Sequence, residues 1–171
     1  MGNKNQNKMR EIEIEKIVLN CGGTDEKLEK SVKLLEKLTQ KKIKKIKSTK
    51  RIPGFKISPG KFSGCKITIR NKKQITDLLN KFFVTIENEI SNKKITLNAA
   101  SFGIPECIEI PGFEYDREIG ILGFEISIIF KRKGKRVKLK KSKRGKYPLK
   151  QQISKLEIIE YLKENFGLGV I

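Results

Sequence analysis

Residues 51–70 read R-I-P-G-F-K-I-S-P-G-K-F-S-G-C-K-I-T-I-R, which is a loop followed by a strand pattern. In the last six residues, Ile67 and Ile69 alternate with Lys66, Thr68 and Arg70. Because successive side chains of a strand point to opposite faces, this alternation predicts a half-buried strand. Its apolar side must face a core, while its other side is basic and able to hydrogen-bond. The stretch therefore predicts a sheet with one covered face and one open face.

The loop at 51–64 contains three glycines and two of the chain's five prolines, and it has no acidic residue. Loops of this length are uncommon inside compact domains and are usually functional or disordered. Proline stiffens this one, which predicts a presented tip that touches an anionic partner. A phenylalanine of the tip could stack on a nucleotide, although packing within the loop is the favoured alternative for Phe55. The candidate contact residues of the tip are Arg51, Phe55, Lys56, Ser58, Lys61 and Phe62.

Part of the same loop, G-F-K-I-S-P-G-K at 54–61, resembles a phosphate-binding P-loop. It has one residue too many between Gly54 and Gly60 for that motif. Phe62 also stands where a hydroxyl should bind Mg²⁺, and the segment precedes a strand, whereas a P-loop opens a helix. These departures exclude nucleotide hydrolysis by this segment.

Apolar periodicity places the other elements around this strand. Strands are predicted at 12–20, 95–97, 102–110 and 124–130, with a break at 21–23 after the first. The pattern at 43–48 is ambiguous and favours an extended segment. Helices are predicted after Thr24, across 75–86 and from about Lys155, where Ser154 and Glu157 form a capping-box pattern. Together they predict an α+β fold, a largely antiparallel sheet with helices packed on one face, a long basic loop tip and a basic C-terminal segment.

The length of 171 residues fits one domain. We predict a disordered tail at 1–8 and a single domain at 9–171, which includes a basic extension at 131–150 and a C-terminal helix at 154–166. No apolar run could span a membrane and no signal-peptide core is present, so we expect a cytosolic protein. Three widely spaced cysteines without any histidine favour reduced, buried thiols over a zinc site, and no catalytic or cofactor site is predicted.

The net charge of +20 is concentrated in two segments that contain no acid. Eleven Lys or Arg residues lie at 40–70 and twelve at 131–150. Concentrated positive charge favours a polyanion, because neutralised phosphates release their counterions; a solvated basic tail is the alternative. We expect such an extension to become ordered only when it binds its polyanion. Its candidate contacts are Lys131, Arg132, Lys133, Lys135, Arg136, Lys138, Lys140, Lys141, Lys143 and Arg144.

Two other kinds of function are compatible with the sequence. Glu114, Asp116 and Glu118 could hold Mg²⁺ for an RNA-processing enzyme, although a solvated loop face explains them more simply. The absence of histidine removes the commonest general base from such an enzyme. A protein-interaction role could instead use the acidic face of the first helix or the loop at 111–123.

Several long motifs, in order along the chain, resemble one family. G-F-K-I-x-x-G-x-x-x-G-C-K-I-T-I-R at 54–70 is similar to the signature of the universal ribosomal protein that binds 5S ribosomal RNA, large-subunit protein five, called protein eleven in eukaryotes. The segments at 7–20 and 34–41 resemble other parts of that family. F-G-I-P-E-C-I-E-I-P-G-F-E-Y-D-R-E-I-G-I-L-G-F at 102–124 is most similar to its archaeal and eukaryotic branch.

The resemblance implies a structural protein of the ribosome, without enzymatic activity or cofactor. It implies binding to 5S ribosomal RNA and large-subunit ribosomal RNA at the central protuberance, a bridge to a protein of the small-subunit head, and an approach of the tip to the P-site transfer RNA. Its location would be the cytoplasmic ribosome, with nucleolar passage during assembly if the source is a eukaryote. The family's RNA contacts fall on Asn20, Gln40 and Thr68. The full set of expected RNA-binding residues is Asn20, Gln40, Lys47, Lys50, Lys66, Thr68 and Arg70.

Overall fold

The computed structural model describes residues 7–171. The strands are β1 (Ile12–Gly22), β2 (Lys44–Lys47), β3 (Phe62–Ile69), β4 (Glu89–Ile90), β5 (Ile95–Thr96), β6 (Ala99–Ile104), β7 (Phe124–Arg132) and β8 (Gly169–Val170). The helices are α1 (Asp25–Thr39), α2 (Lys72–Thr85), α3 (Arg136–Leu139) and α4 (Lys155–Phe166). The predicted disordered tail lies outside the described residues except for Asn7 and Lys8, which lead into a 3₁₀ turn at Lys8–Arg10.

Six strands form one antiparallel sheet in the order β2-β3-β1-β7-β6-β5. β4 and β8 form a separate parallel pair. Burial alternates along β6, along β7 and in β1 from Ile17 to Cys21, and in β7 the buried residues are Phe124, Ile126, Ile128, Phe130 and Arg132. The intervening residues are exposed or half-buried. The sheet therefore has one covered face and one open face, as the alternation at 65–70 predicted.

The three long helices cover the same face of the sheet and close one core. Phe82 of α2 lies edge-on to Phe124 of β7, with 5.6 Å between the ring centroids. Tyr161 of α4 lies edge-on to Phe130 of β7 at 5.7 Å. Leu35 of α1 is fully buried in the same cluster. Burial of each side chain of this size contributes about 1.5–3 kcal/mol to the stability of the fold. The predicted α+β fold, with helices on one face of an antiparallel sheet, is confirmed.

Local signals in the sequence set the helix ends. Ser154 Oγ accepts a hydrogen bond from the backbone of Glu157, whose carboxylate accepts one from the Ser154 backbone, so the predicted capping box is confirmed. Gly167 ends α4 in the left-handed conformation with φ 66°. Gln40 ends α1 in the same conformation with φ 53°. Thr24 occupies the N-cap of α1, but its side chain makes no capping hydrogen bond.

Several boundaries differ from the prediction; the helix predicted across 75–86 is Lys72–Thr85, and the strand predicted from 102 begins at Ala99. The first strand continues through Gly22, because its backbone stays paired with β3 as far as Gly64. The third strand begins at Phe62, so the last three residues of the predicted loop at 51–64 belong to β3. The strand predicted at 102–110 ends at Ile104, because the next residue, Pro105, has no N–H to donate to a sheet ladder.

Candidate nucleic-acid interface

The open face is the side of the six-stranded sheet that the helices leave uncovered. Antiparallel register brings its side chains into rows, because directly paired residues lie side by side. Thr68 pairs with Val18, and Asn20 pairs with Lys66, so the two predicted contacts Thr68 and Asn20 lie in adjacent rows. One row contains Thr68, Val18, Ser127 and Ser101. The next row contains Lys44, Lys66, Asn20, Glu125 and Gly103.

The edge of the open face nearest β2 is positively charged. Lys44 and Lys66 are direct cross-strand partners, and both are exposed. Like charges placed opposite each other on a sheet destabilise it. A phosphate seated over the pair would relieve this repulsion, so the two lysines suit an anionic ligand. Arg70, which is also exposed, follows β3 directly and extends the basic edge.

The middle of the open face is neutral and able to hydrogen-bond. Asn20 and Thr68 are half-buried there. The hydroxyl oxygens of Ser101 and Ser127 lie 3.1 Å apart, so one of them donates to the other. Short polar side chains of this kind can contact the 2′-hydroxyls and base edges by which RNA is recognised.

Glu125 places an acidic group in the row that begins with the basic pair of Lys44 and Lys66. It is exposed, and its Oε2 accepts a hydrogen bond from Asn20 Nδ2 at 3.4 Å. An ionised carboxylate can only accept, so Oδ1 of Asn20 is the amide atom that faces away from Glu125. Neither Glu125 nor Lys44 was among the predicted contacts. The alternation at 124–130 was the signal for Glu125, since burial of Phe124 and Ile126 places the residue between them on the open face.

Besides Arg70, three predicted RNA contacts lie outside these rows. Gln40 is exposed in the turn after α1, a helix that packs on the covered face. Lys47 ends β2 opposite Phe62, with its Nζ 5.3 Å from the ring centroid. Lys50 is exposed in the loop that leads to the tip. The structure thus groups Asn20 with Lys66 and Thr68, and places the other three at the end of β2 and in the segments before and after it.

The tip is closed by its own backbone hydrogen bonds. Ile52 and Ile57 bond each other in both directions, at 2.9 and 3.2 Å. Ser48 accepts from the backbone of Gly60 and donates to that of Lys61, each at 2.8 Å. These bonds hold the segment between β2 and β3 as an ordered loop.

The side chains of the tip are mostly exposed. Phe55 is 74% exposed, so the expectation that it packs within the loop is wrong. The 3₁₀ turn at Pro53–Phe55 leaves this ring available for stacking. Lys61 is half-buried and pairs with Asp25 of α1 at 2.9 Å. The other predicted contacts of the tip, Arg51, Lys56, Ser58 and Phe62, are exposed.

Arg132 belongs to the core and not to the surface of the basic extension. It is 6% exposed at the end of β7, and its guanidinium pairs with Glu157 of α4. Burial raises the pKa of Glu157, but hydrogen bonds from Ser154 and the charge of Arg132 outweigh it and hold the pKa below its usual range. The alternation that buries Phe130 also places Arg132 on the covered face. This burial argues against the RNA contact predicted at Arg132, because it screens the side chain from phosphates.

The rest of the extension is accessible. Beyond β7 it has little regular structure, namely α3 and a 3₁₀ turn at Leu149–Gln151. Lys133 pairs with Glu11 at 2.7 Å, and Lys135 pairs with Glu15 of β1. The pair of Lys133 and Glu11 is at the surface, where ion pairs are worth about 0–1 kcal/mol, so RNA can compete for Lys133. The pair of Lys135 and Glu15 is partly buried. Lys131 is half-buried in β7, and the remaining predicted contacts, Arg136, Lys138, Lys140, Lys141, Lys143 and Arg144, are exposed.

Two of the three acids suggested as Mg²⁺ ligands face lysines of α1. Asp116 faces Lys37 of α1 at 3.6 Å, and Glu118 pairs with Lys33 of the same helix. Across 7–171, no group of three or more potential ligands is placed to hold a metal ion. The three cysteines are free and buried, as predicted, and burial raises the pKa of Cys65 to about 12. No helix in the part of the chain that the structure describes is long and apolar enough to cross a membrane.

Fold and surface together define a class, a small basic α+β protein whose open sheet face and tip suit RNA. Two family models match the chain. One is described as ribosomal protein L5 and matches residues 7–57; the other is described as the C-terminus of the same ribosomal family and matches residues 62–160. The chain belongs to the ribosomal protein L5 family, the large-subunit protein five that its motifs resemble.

Similar proteins span nearly the whole chain. It is 38% identical to the large ribosomal subunit protein uL5 of Nanoarchaeum equitans over 95% of this chain and 98% of that protein. The proteins of the same name from Picrophilus torridus and Archaeoglobus fulgidus are 36% and 34% identical, over 97% and 98% of this chain and 96% and 93% of theirs. These archaeal sources agree with the branch that 102–124 resembles. The chain is a structural, non-enzymatic constituent of the large ribosomal subunit. It is a ribosome component of the cytoplasm, and its partners are ribosomal RNA and ribosomal proteins.

Proposed function

We propose that the open face of the sheet binds 5S ribosomal RNA, and that the chain also contacts large-subunit ribosomal RNA at the central protuberance. One observation carries the proposal. Asn20 and Thr68, on which the family's RNA contacts fall, lie in adjacent rows beside the exposed pair of Lys44 and Lys66. The face therefore combines neutral hydrogen-bonding groups at its centre with cations at its edge.

The two kinds of residue have different roles in this proposal. Lys44, Lys66 and Arg70 neutralise phosphates, which gives affinity that falls as salt rises. Asn20 and Thr68 make short-range hydrogen bonds, each worth about 0.5–1.5 kcal/mol net. Folded RNA is recognised through its shape, its phosphates and its 2′-hydroxyls. The cations therefore supply affinity, and the neutral residues fix the position of the RNA on the sheet.

The tip is assigned to a second RNA, the P-site transfer RNA, as the family resemblance implies. It lies between β2 and β3, and its exposed Arg51 and Lys56 offer cations beside the exposed ring of Phe55. The basic extension is assigned to large-subunit ribosomal RNA, along which it threads as it becomes ordered. The bridge to a protein of the small-subunit head rests on the resemblance alone.

Selectivity for 5S ribosomal RNA tests the main proposal. The full chain is titrated at physiological salt with 5S ribosomal RNA and, in parallel, with a transfer RNA as the control for a folded polyanion. We expect the 5S complex to be tighter by roughly 100-fold or more. Equal affinities would overturn the assignment and leave a general polyanion-binding surface.

Thr68→Val should weaken 5S binding about two- to tenfold and leave the melting temperature nearly unchanged. Valine keeps the β-branched shape that suits a strand but removes the hydroxyl. Thr76→Val is the matched control, because Thr76 is exposed on α2, away from the open face. Filter binding and a thermal melt measure both variants. An unchanged affinity for Thr68→Val would remove this residue from the site.

Joint replacement of Lys56 and Lys61 by alanine should spare 5S binding but weaken P-site transfer RNA binding about two- to tenfold in reconstituted large subunits. The pair between Lys61 and Asp25 is a surface ion pair, so its loss should cost at most about 1 kcal/mol of stability. Titration of free 5S RNA and transfer RNA occupancy of the subunits are measured on one preparation. A loss of 5S affinity as large as that of Thr68→Val would instead place the tip in the 5S site.

A further inference from the structure

A cleft of about 470 Å³ opens at one end of the open face, where β1, β6 and β7 meet. Asn20 and Glu125 line it, and backbone at Gly22, Gly103 and Gly123 forms much of its floor. Gly103 is the direct cross-strand partner of Glu125, so no side chain stands beside the carboxylate on that strand. The cleft is therefore open next to a charged hydrogen-bond acceptor.

Steric packing within the chain does not require glycine at the positions that leave the cleft open beside Glu125. A Cβ added at Gly103 would have Phe124 O as its nearest neighbour, at 3.8 Å, and a Cβ at Gly22 would meet nothing within 4 Å. The fold would tolerate side chains at both positions. Gly123 differs, because a Cβ there would lie 2.5 Å from Pro105 O. The space above Gly22 and Gly103 is thus available to a flat ligand.

The carboxylate restricts which part of an RNA can occupy this space. Glu125 repels phosphate, whereas Lys44 and Lys66 at the other end of the same row attract it. An RNA strand that crosses this row of side chains must therefore place its phosphates over Lys44 and Lys66. It must present uncharged hydrogen-bond donors to Glu125. Asn20 Nδ2 supplies one donor at 3.4 Å, and a carboxylate has about four acceptor sites. Acceptor capacity remains for a ligand.

We propose that the cleft binds one unpaired guanine of the RNA on the open face, with N1–H and N2–H₂ of the base donating to the Glu125 carboxylate. Guanine is the base whose Watson–Crick edge carries two adjacent donors, which match the two carboxylate oxygens. Adenine and cytosine offer one amino group there, and uracil offers one imino group. Unpaired bases of RNA are recognised on this edge. The inference rests on the proposed function, because it takes ribosomal RNA as the source of the base.

Inosine substitution tests the guanine contact, since inosine lacks the N2 amino group. Each unpaired guanosine of 5S ribosomal RNA is replaced in turn, and binding to the full chain is measured. With the wild type we expect one position at which inosine weakens binding about tenfold. With Glu125→Gln, whose side chain keeps only one acceptor oxygen, the same replacement should change affinity by less than about twofold.

Two further variants separate the contact from general effects of charge and fold. Glu36→Gln removes the same charge from an exposed position on α1, and it should keep the full inosine effect. Gly103→Val fills the cleft with an apolar side chain beside Glu125 and keeps the charge of the carboxylate. It should weaken 5S binding about tenfold, abolish the inosine effect and leave the melting temperature close to that of the wild type.

The outcomes distinguish this inference from the proposed function. If the chain binds 5S RNA selectively, but no inosine replacement has an effect on affinity that depends on Glu125, the guanine site is overturned. The proposed function then remains intact. An inosine effect that persists in both Glu125→Gln and Gly103→Val would also overturn it. Absence of selectivity for 5S RNA in the wild type would overturn both.

Discussion

Phe130→Ala should lower the free energy of unfolding by about 3–5 kcal/mol, the largest stability change expected for a single substitution in this chain. Phe130 is fully buried on β7, the strand that pairs with both β1 and β6. Its ring lies edge-on to Tyr161, with 5.7 Å between the centroids, so the change would open a cavity between the sheet and α4. Loss of the aromatic pair adds about 0.5–1.5 kcal/mol to the effect of lost burial. Urea denaturation followed by circular dichroism measures the difference.

Phe55→Ala is the control, because it deletes the same ring from a position that is 74% exposed in the tip. Surface changes of this kind usually stay within about 0.5 kcal/mol. A difference of several kcal/mol between the two variants is expected. Equal losses would contradict the placement of Phe130 in the core and that of Phe55 on the surface.

The sheet could be predicted from the sequence wherever its two faces differ in chemistry. Ile67 and Ile69 are buried and Lys66 is exposed, as their alternation required. The same contrast in β7 placed Phe130 in the core. The capping box at Ser154 was predictable for a related reason, because every group that it needs lies within four consecutive residues.

Other features depend on which segments meet, and local patterns do not contain that information. Arg132 was interpreted as one of many cations in a basic run, but its position on the covered face brings it to Glu157. Phe55 was expected to pack within the loop, yet the turn at Pro53–Phe55 leaves its ring 74% exposed. The row that joins Lys44 to Glu125 crosses four strands, so only the register reveals it.

Joint replacement of Lys44, Lys66 and Arg70 by glutamine should reduce 5S affinity about 100-fold at physiological salt. Each residue lies on the basic edge of the open face, and a cation that neutralises one phosphate changes the slope of log affinity against log salt by roughly 0.7–0.9. The slope should therefore become shallower by about 2–3. Stability should not fall, because the change removes the like-charge pair of Lys44 and Lys66 across β2 and β3. Titrations over a range of salt concentrations and a thermal melt measure the two effects.

A matched variant shows whether position or net charge matters. Lys30, Lys73 and Lys163 are exposed on α1, α2 and α4, the helices that cover the opposite face. Replacing these three by glutamine lowers the net charge equally and should change the affinity by less than about tenfold, with little change in slope. If only the first variant binds RNA more weakly, and its melting temperature is unchanged or higher, the three cations bind the RNA and destabilise the free protein. Similar losses in both variants would mean that the RNA responds to the overall charge, and the open face would lose its place as the binding surface.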